Sequence, residues 1–436
     1  MPCKSEWDTA ALVAADKRHV WHPFADTGEW CAPDHKPLVL VRGEGALLWD
    51  SEGREYIDGN SSIWTNIHGH NHPHINAAIV RQLGLVAHTS FLGFTNPPAI
   101  RLAEAIVALF PPETLTRVFF SDDGSTGIEA ALRIVEQFWR LRGSTRTEIV
   151  AFRDGYHGDT AGAAALGARS LFGIKGEGWR APVREVGNIK DLAALPGDEV
   201  AQIAAVVIEP LIQGAAGMKL WAPGTLRELR DWTEGKGILL IADEVMTGFG
   251  RTGTMFACEQ ERVVPDIMIL GKALTGGYLP LALTLITERV FRLFAAAQGG
   301  DGTLFYGHSY TGNALGSSAA LASLQLFAGG DLLIELRRKI ILLKELLADL
   351  EPLPGVKDIR QCGFIAAIEL AGTEAATRAK AVCLEARRGG LLTRPIRESI
   401  VLMPPFAVTT GQLRQSIAAL KAAIQHVLQK GESVSP

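Results

Sequence analysis

The sequence predicts an α/β protein in which helices cover a mostly parallel sheet and a smaller α+β unit lies beside it. Between residues 99 and about 326, helical patterns alternate with short apolar runs, as in parallel strands joined by helices. From Gly329 onward, a long helical pattern precedes several strand-like runs and a final amphipathic helix. A chain of 436 residues can form a large core and a second, smaller one.

The N-terminal part predicts a β-hairpin followed by a helix. From Leu38, VLVRGEGALLWD, a SEG turn and REYIDG alternate in polarity, which is typical of two strands joined by a glycine-containing turn. The preceding KRHVWHPFADTGEW is too irregular to assign to a helix or a strand. After NSSIWTNIHGHNHPH, Ile75, Ile79 and Leu83 are spaced as on one helix face.

The central and C-terminal parts predict the remaining elements. In chain order these are a helix over 99–110, a strand at RVFF, a helix from Ile128, strands at EIVAF and AAVVIEP, a helix from Thr225, strands over 238–242 and Ile267–Leu270, a long helix over LLIELRRKIILLKELLADLEPL, strands near DIRQ and FIAAIEL, and a helix over 378–388. We predict that residues 66–328 form the large domain. Residues 1–65 and 329–436 would form the small one.

Charge and cysteine content narrow the classes of function. The net charge is −4, from 43 basic and 47 acidic residues without a long run of either sign, which favours small charged metabolites over nucleic acid or a membrane surface. No apolar run has the length of a membrane span or the form of a cleavable leader, so we expect a cytosolic protein. The cysteines lack a C-x-x-C spacing and are expected to be reduced. They are Cys3, Cys31, Cys258, Cys362 and Cys383.

Two neighbouring strand ends bring an acid and an amine together. ILLIA ends at Asp243, and the next apolar run delivers Gly271 and Lys272. Ligands of open α/β sheets bind at the carboxyl ends of the strands. Pyridoxal phosphate needs this pair, because a lysine forms a Schiff base with it and an aspartate keeps its ring nitrogen protonated. A surface lysine and an ordinary strand-end acid would give the same pattern, so the pair alone leaves both interpretations open.

Two further strand ends favour a flat, phosphorylated cofactor. Gly124 and Ser125 lie between the strand FFS and the helix from Ile128, and a helix N-terminus attracts phosphate. AFRDGYHGDT places Tyr156 after the following strand, where an aromatic ring could stack on a cofactor ring. A glycine-serine helix cap and a plain loop tyrosine remain alternatives.

Other functional motifs fail on their context. GFGRTG matches the dinucleotide pattern, but Asp243 and Glu244 separate it from the strand and no helix follows. Neither Ser125 nor Cys258 lies in a hydrolase signature. A metal site at the alternating histidines is disfavoured, because glycine and proline interrupt the strand that would align them. These histidines are His68, His70, His72 and His74.

Several segments resemble the class III pyridoxal phosphate aminotransferases of fold type I. They are IEPLIQGAAGM, IADEVMTGFGRTG, LGKALTGG and GYHGDT. Within that family, WHPF, DGNSSIW, HGHNHP, GHSYTGN and LTRPIRESIVLMPP resemble the members that make 7,8-diaminononanoate for biotin biosynthesis. The resemblance runs from about His19 to the C-terminus. It implies a seven-stranded, mostly parallel sheet, a small domain built from both chain ends, and a homodimer.

The resemblance implies roles for the residues around the cofactor ring. Lys272 would form the Schiff base and, once displaced by substrate, shuttle a proton between the substrate and the cofactor. Asp243 would pair with the ring nitrogen. Val245 would pack on one face of the ring and Tyr156 on the other. Lys272, Asp243 and Tyr156 are therefore the predicted catalytic residues.

Phosphate binding would come from both subunits of the dimer. Gly124 and Ser125 would hold the phosphate within one subunit, and His308 and Ser309 of the other subunit would reach it. Many members have proline and threonine at these last two positions, so this chain departs from the family there.

The chain also departs from the family near the expected substrate and donor sites. Gly307 and Arg394 correspond to positions that bind the keto-acid substrate, with Arg394 holding its carboxylate through a paired contact; without the resemblance, Arg394 would be a plain surface arginine. Phe24 stands where many members have a tyrosine, and Ile63 with Trp64 stands where many have two tryptophans. These residues would contact substrates together with the ring-facing tyrosine and the Schiff-base lysine.

The resemblance implies transfer of an amino group from S-adenosylmethionine to 8-amino-7-oxononanoate by a ping-pong mechanism. The departures at Phe24 and Ile63 leave lysine open as the amino donor, since it needs no adenine platform. A class III transaminase acting on an ω-amino acid such as ornithine or an acetylated relative is the alternative enzyme. A non-catalytic protein that binds the cofactor is the alternative outside enzymes.

Overall fold

The structure is a computed structural model that describes residues 7–167 and 182–432, with side chains to residue 429. Its N-terminal part contains α1 (Thr9–His19), α2 (Thr27–Cys31), β1 (Leu40–Glu44), β2 (Leu47–Asp50), β3 (Glu55–Asp58), the short turn α3 (Ser61–Trp64), α4 (Pro73–Leu83) and α5 (Pro97–Val107). The stretch that we could not assign from the sequence includes α2 and the end of α1. Asp8 and Asp26 accept backbone amides at the starts of these helices, as helix caps do.

The predicted two-stranded hairpin is wrong in one respect, because it has three strands. Its first segment folds back on itself between β1 and β2, where Glu44 pairs with Leu47. Gly45 has a φ of 55° at this turn, and tight hairpin turns need such left-handed residues. β2 then pairs with β3 as expected.

The central part forms the large sheet. Its elements are β4 (Leu115–Ser121), α6 (Gly124–Leu141), β5 (Glu148–Phe152), α7 (Ala161–Leu166), β6 (Val183–Val186), α8 (Ile189–Ala193), α9 (Gly197–Val200), β7 (Ile203–Ile208), β8 (Ile212–Gln213), β9 (Lys219–Leu220), α10 (Thr225–Lys236), β10 (Leu239–Asp243), a 3₁₀ turn (Ala257–Glu261), β11 (Ile267–Leu270), a second 3₁₀ turn (Lys272–Thr275), β12 (Ala282–Thr287), α11 (Glu288–Ala296) and α12 (Ala314–Gln325).

The large sheet confirms the predicted fold class. It has seven strands in the order β4-β12-β11-β10-β7-β5-β6, and only β12 runs antiparallel to its neighbours. Strands β7, β10 and β11 are buried at every residue, as expected of parallel strands covered by helices on both faces. We did not identify β6 or β12 from the sequence. β6 is a partly exposed edge strand with two charged residues, which weakens its apolar pattern.

The C-terminal part contains α13 (Asp331–Ala348), β13 (Val356–Cys362), β14 (Ile365–Leu370), α14 (Ala375–Arg388), β15 (Leu391–Leu392), β16 (Arg394–Ile396), β17 (Ser399–Leu402) and α15 (Thr410–Glu432). Strands β13, β14, β17 and β16 form a separate sheet, and β15 pairs in parallel with β3 of the N-terminal hairpin. The domain division at residues 65 and 328 stays a prediction. No helix in the described ranges combines the length and apolarity needed to cross a lipid bilayer.

The four alternating histidines have partners within the protein. His68 lies 2.9 Å from the hydroxyl of Ser323, and burial lowers its pKa to about 3, so it is neutral. His70 lies 2.9 Å from Asp58. Across residues 7–167 and 182–432, no cluster of histidine, cysteine or acidic residues is arranged to hold a metal ion.

Candidate active site

A cavity of about 430 Å³ opens at the carboxyl edge of the central sheet. Strands β5, β7, β10 and β11 run in parallel, so the loops that follow them meet at this edge. The predicted site residues that line the cavity are Trp64, Gly124, Ser125, Tyr156, Asp243, Val245 and Lys272. The chain thus brings together the predicted phosphate, ring, lysine and substrate positions, of which Trp64 and Lys272 are 208 residues apart in sequence.

The other predicted site residues do not line the cavity of this single chain. Phe24 and Ile63 are 68% and 44% exposed. Arg394 is exposed at the start of β16. The structure also leaves three predicted residues outside the cavity on the segment before α12, namely Gly307, His308 and Ser309.

Asp243 is held at the end of β10 by two partners. Its Oδ1 accepts the amide of Val245 at 3.1 Å, and its Oδ2 lies 2.7 Å from Nδ1 of the buried His157. Burial alone would lower the pKa of His157, but its hydrogen bond to Asp243 and the charges of Asp243 and Glu209 outweigh burial and raise that pKa. A carboxylate has about four acceptor positions, so Asp243 can still accept a hydrogen bond from a group that binds in the cavity.

Lys272 follows β11 in a strained backbone conformation. Its φ is 33°, a region that non-glycine residues rarely occupy and that is enriched at functional sites. Its Nζ lies 4.6 Å from the centre of the Trp64 ring. Burial lowers the pKa of Lys272, although the charges of Asp243 and Glu209 oppose this. A lowered pKa favours the neutral, nucleophilic amine.

The start of α6 forms a cradle for an anion. We predicted that this helix begins at Ile128, but it begins at Gly124; the prediction was wrong because the cap at Asp123 lies before the apolar spacing starts. A Cβ on Gly124 would lie 2.8 Å from Val245, and one on Gly158 would lie 2.2 Å from Ser125 Oγ. Glycine at both positions therefore lets three loops approach one another around the first, unpaired amides of the helix.

The two carboxylates beside this cradle have partners of their own. Asp123 accepts the amide of Thr126 at 2.9 Å as the helix cap. Asp122 lies 3.2 Å from Nδ1 of His308. The second contact brings the segment that carries His308 to the edge of the cavity, although His308 itself does not line it.

Sequence reasoning missed Glu209, a buried acid at the end of β7. Its two carboxylate oxygens accept the amides of Gly214 at 2.9 Å and Tyr156 at 3.1 Å. Burial, aided by the charge of Asp243, raises the pKa of Glu209 to about 7, against the opposing effect of His157 and the two amides. An apolar run that ends in an acid, IAAVVIE, is the same signal that identified Asp243.

Together these residues fit pyridoxal phosphate. A carboxylate braced by a histidine suits the ring nitrogen, and an amine of lowered pKa suits an aldehyde. The glycine-lined helix start suits a phosphate. The hydroxyl of Tyr156 donates to Asp159 at 2.7 Å, which fixes its ring beside the cavity.

Comparisons with known proteins agree with this chemistry. The family description Aminotransferase class-III matches residues 31–424. An adenosylmethionine-8-amino-7-oxononanoate aminotransferase of Nitratidesulfovibrio vulgaris is 44% identical over 99% of this chain and 84% of its own length.

Solved structures give the same result. The enzyme of that name from Methanocaldococcus jannaschii is 35% identical with a TM-score of 0.88, covering 96% of this chain and 99% of the other. An amine transaminase from an uncultivated Pseudomonas species, in its PLP-bound form, is 31% identical with a TM-score of 0.88, covering 94% and 99%. The chain therefore belongs to the class III aminotransferases, which are pyridoxal phosphate enzymes.

Proposed function

We propose that this protein transfers an amino group from S-adenosylmethionine to 8-amino-7-oxononanoate, giving 7,8-diaminononanoate in biotin biosynthesis. The observation that carries the proposal is the near full-length similarity to relatives named for this reaction, at 40–44% identity in the first three. The cavity supports it, because the residues suited to the cofactor meet there in one chain.

Seven residues that line the cavity have defined tasks in this proposal. Bound pyridoxal phosphate supplies the electron sink for removing a proton from the substrate carbon. Lys272 anchors the cofactor covalently and moves that proton, and Asp243 holds the proton of the ring nitrogen. Tyr156 and Val245 enclose the ring, while Gly124 and Ser125 bind the phosphate. Glu209 fixes the Tyr156 loop through its backbone amide.

The amino donor has a second candidate. S-adenosylmethionine carries a sulfonium cation and an adenine, both of which gain from aromatic surfaces. Trp64 offers one such surface to the cavity, but Ile63 offers none and is 44% exposed. This departure favours lysine as the alternative donor, since lysine needs no surface for an adenine.

We further propose that the active enzyme is a homodimer. Large apolar side chains are exposed along two adjoining segments, 83–94 and 305–310; they are Leu83, Leu85, Val86, Leu92, Phe94, Phe305 and Tyr310. His88 connects the segments, because its Nε2 lies 2.7 Å from the carbonyl oxygen of Ser309. Clustered exposed apolar residues favour a protein interface. If a second copy packs against this surface, Gly307, His308 and Ser309 of each subunit would lie near the phosphate-binding site of the other subunit.

Lys272→Ala tests the chemistry most directly. We expect the purified variant to fold but to lose the absorption band of the Schiff base and both half-reactions, because Nζ is needed to form that bond and to move the proton. Asp243→Asn should keep the cofactor bound and slow both half-reactions, since a neutral amide holds the ring proton poorly. An active Lys272→Ala protein would refute the assignment.

The substrates are tested by single turnover of the cofactor-loaded enzyme. S-adenosylmethionine should remove the visible absorption band of the bound cofactor, because the cofactor takes up the amino group. Addition of 8-amino-7-oxononanoate should restore that band. Conversion by lysine alone would replace the donor and leave the acceptor standing. Turnover of ornithine without turnover of the oxononanoate would instead support an ω-amino acid transaminase.

A further inference from the structure

The turn before the cavity has a conformation that ordinary side chains avoid. All four residues of α3 (Ser61–Trp64) have positive φ angles, between 45° and 70°. Backbone bonds from Trp64 to Asn60 and from Thr65 to Ser61 close it as a left-handed helical turn. The conformation is least favourable for Ile63, whose Cβ is branched. Such strain persists only where the surroundings impose it.

Asp58 holds the base of this turn. Its Oδ1 accepts the amides of Asn60 and Ser62, both at 3.2 Å. Its Oδ2 accepts the Ser62 hydroxyl at 3.2 Å and lies 2.9 Å from Nε2 of His70. The hydroxyl of Ser61 donates to the carbonyl of Met403 at 2.7 Å, which ties the turn to the end of β17.

Asn60 holds the tip of the turn at two points. Its backbone oxygen accepts the amide of Trp64 at 2.9 Å. Its side-chain Oδ1 accepts the indole Nε1–H of the same residue, also at 2.9 Å and buried. Both the position of the Trp64 backbone and the rotation of its ring are therefore set by Asn60.

The ring that Asn60 orients faces the reacting amine. Trp64 is buried and lines the cavity, with its ring centre 4.6 Å from Lys272 Nζ. The ring also packs close to Gly214, where a Cβ would lie 3.4 Å from the ring and 2.5 Å from the sulfur of Met246. An indole face attracts positive charge, and more strongly when water is excluded.

We propose that Asn60 is a positioning residue, which fixes the Trp64 indole over the nitrogen of Lys272. The oriented ring stabilises positive charge on that nitrogen and presents a face to a positively charged donor group. The effect on the donor rests on the proposed function. The effect on the lysine nitrogen does not.

The test is a pH titration of the visible absorption of the cofactor-loaded enzyme, which needs no substrate. Asn60→Leu has nearly the same size but cannot accept the indole N–H. We expect this variant to lower the midpoint pH of the absorption change by about half a pH unit to one pH unit. The reason is that the nitrogen loses a partly desolvated cation–π contact that stabilises its positive charge. Asn60→Asp keeps the acceptor and should hold the midpoint at or above that of the parent protein.

Asn96→Leu is the matched control. Asn96 is also buried and caps α5 by accepting the amide of Ala99 at 3.0 Å, and it is absent from the lining of the cavity that contains Lys272. It should lower the melting temperature and leave the absorption midpoint unchanged. An unchanged midpoint in folded, cofactor-loaded Asn60→Leu protein would overturn the proposal.

A double-mutant cycle keeps the test decisive if Asn60→Leu folds poorly. Trp64→Phe keeps an aromatic ring but loses the indole N–H that donates a hydrogen bond to Asn60. This variant should therefore lower the midpoint pH by itself. If Asn60 acts through Trp64, the double variant should shift no further than Trp64→Phe alone. Additive shifts would contradict the proposal. In steady-state kinetics, Asn60→Leu should raise the KM of the donor several-fold more than it lowers kcat.

Discussion

The carboxyl group of Glu209 combines a structural and an electrostatic role. It accepts two backbone amides from different loops, and its pKa of about 7 means that it titrates near neutral pH. Folded protein therefore holds a proton there between about pH 4.5 and 7, where an unfolded glutamate has lost it. Stability from this group is complete at low pH and is lost as the pH rises through this window.

Glu209→Gln should remove that pH dependence. The difference in unfolding free energy between variant and parent should shift in favour of the variant by roughly 2 to 3 kcal/mol from pH 5 to pH 8, because the parent must bury a charge as Glu209 ionises and the amide does not. The amide can accept only one of the two backbone N–H groups, which lowers the stability of the variant by an amount that does not depend on pH. The measurement is chemical denaturation of both proteins at several pH values with equal cofactor saturation.

Glu185→Gln is the control for Glu209→Gln. Glu185 forms an exposed pair with Arg153 at 3.2 Å, and its removal should leave the pH dependence of the parent. Parallel stability curves for Glu209→Gln and the parent would show that Glu209 does not titrate in this window.

The left-handed turn α3 gives a prediction at the level of the element. In a right-handed helix, alanine is more stable than glycine by about 1 kcal/mol. At Ile63, whose φ is 67°, the order should reverse, because a Cβ is costly in the left-handed region. Ile63→Gly should therefore be more stable than Ile63→Ala by about 1 kcal/mol, measured by thermal or chemical denaturation.

Ile341 provides the matched comparison, since it is an exposed isoleucine within α13. There Ile341→Ala should be the more stable variant by a similar amount. The same order at both positions would mean that residues 61–64 do not hold the left-handed conformation in solution.

The sequence was sufficient to locate the elements that are defined by the apolar pattern of their own residues. β10 and β11 are buried at each residue, so burial and hydrophobicity coincide and the strand ends at Asp243 and Lys272 could be located. The start of α6 was misplaced, because its first residues are set by the cap at Asp123. The conformation of α3 could not be predicted, since it depends on Asp58 and Met403, which is 342 residues from Ser61.

At the scale of the whole molecule, the segment 248–253 (GFGRTG) joins distant parts of the chain through the side chain of Arg251. Its Arg251 is completely buried and donates to the carbonyl oxygens of Pro404 at 2.7 Å and Asn66 at 3.3 Å. Its guanidinium lies 5.0 Å from the centre of the Phe406 ring. The central sheet, the N-terminal segment and the C-terminal segment thus meet at one side chain, which local sequence patterns do not reveal.

The proposed dimer gives the last prediction. Leu92 and Phe305 are 87% and 89% exposed on the two apolar segments joined at His88. A two-fold dimer uses the same patch on both subunits, so a charge placed there enters the interface twice and is desolvated each time. Leu92→Asp combined with Phe305→Asp should yield a monomer in sedimentation or light-scattering measurements.

Loss of the dimer should also weaken cofactor binding, because His308 and Ser309 of a second subunit would no longer reach the phosphate. Leu384→Asp is the control, since Leu384 is 49% exposed on α14 and belongs to neither segment. This variant should stay dimeric and bind cofactor as the parent does. Dissociation by Leu384→Asp, or a double variant that stays dimeric, would locate the interface on another face of the molecule.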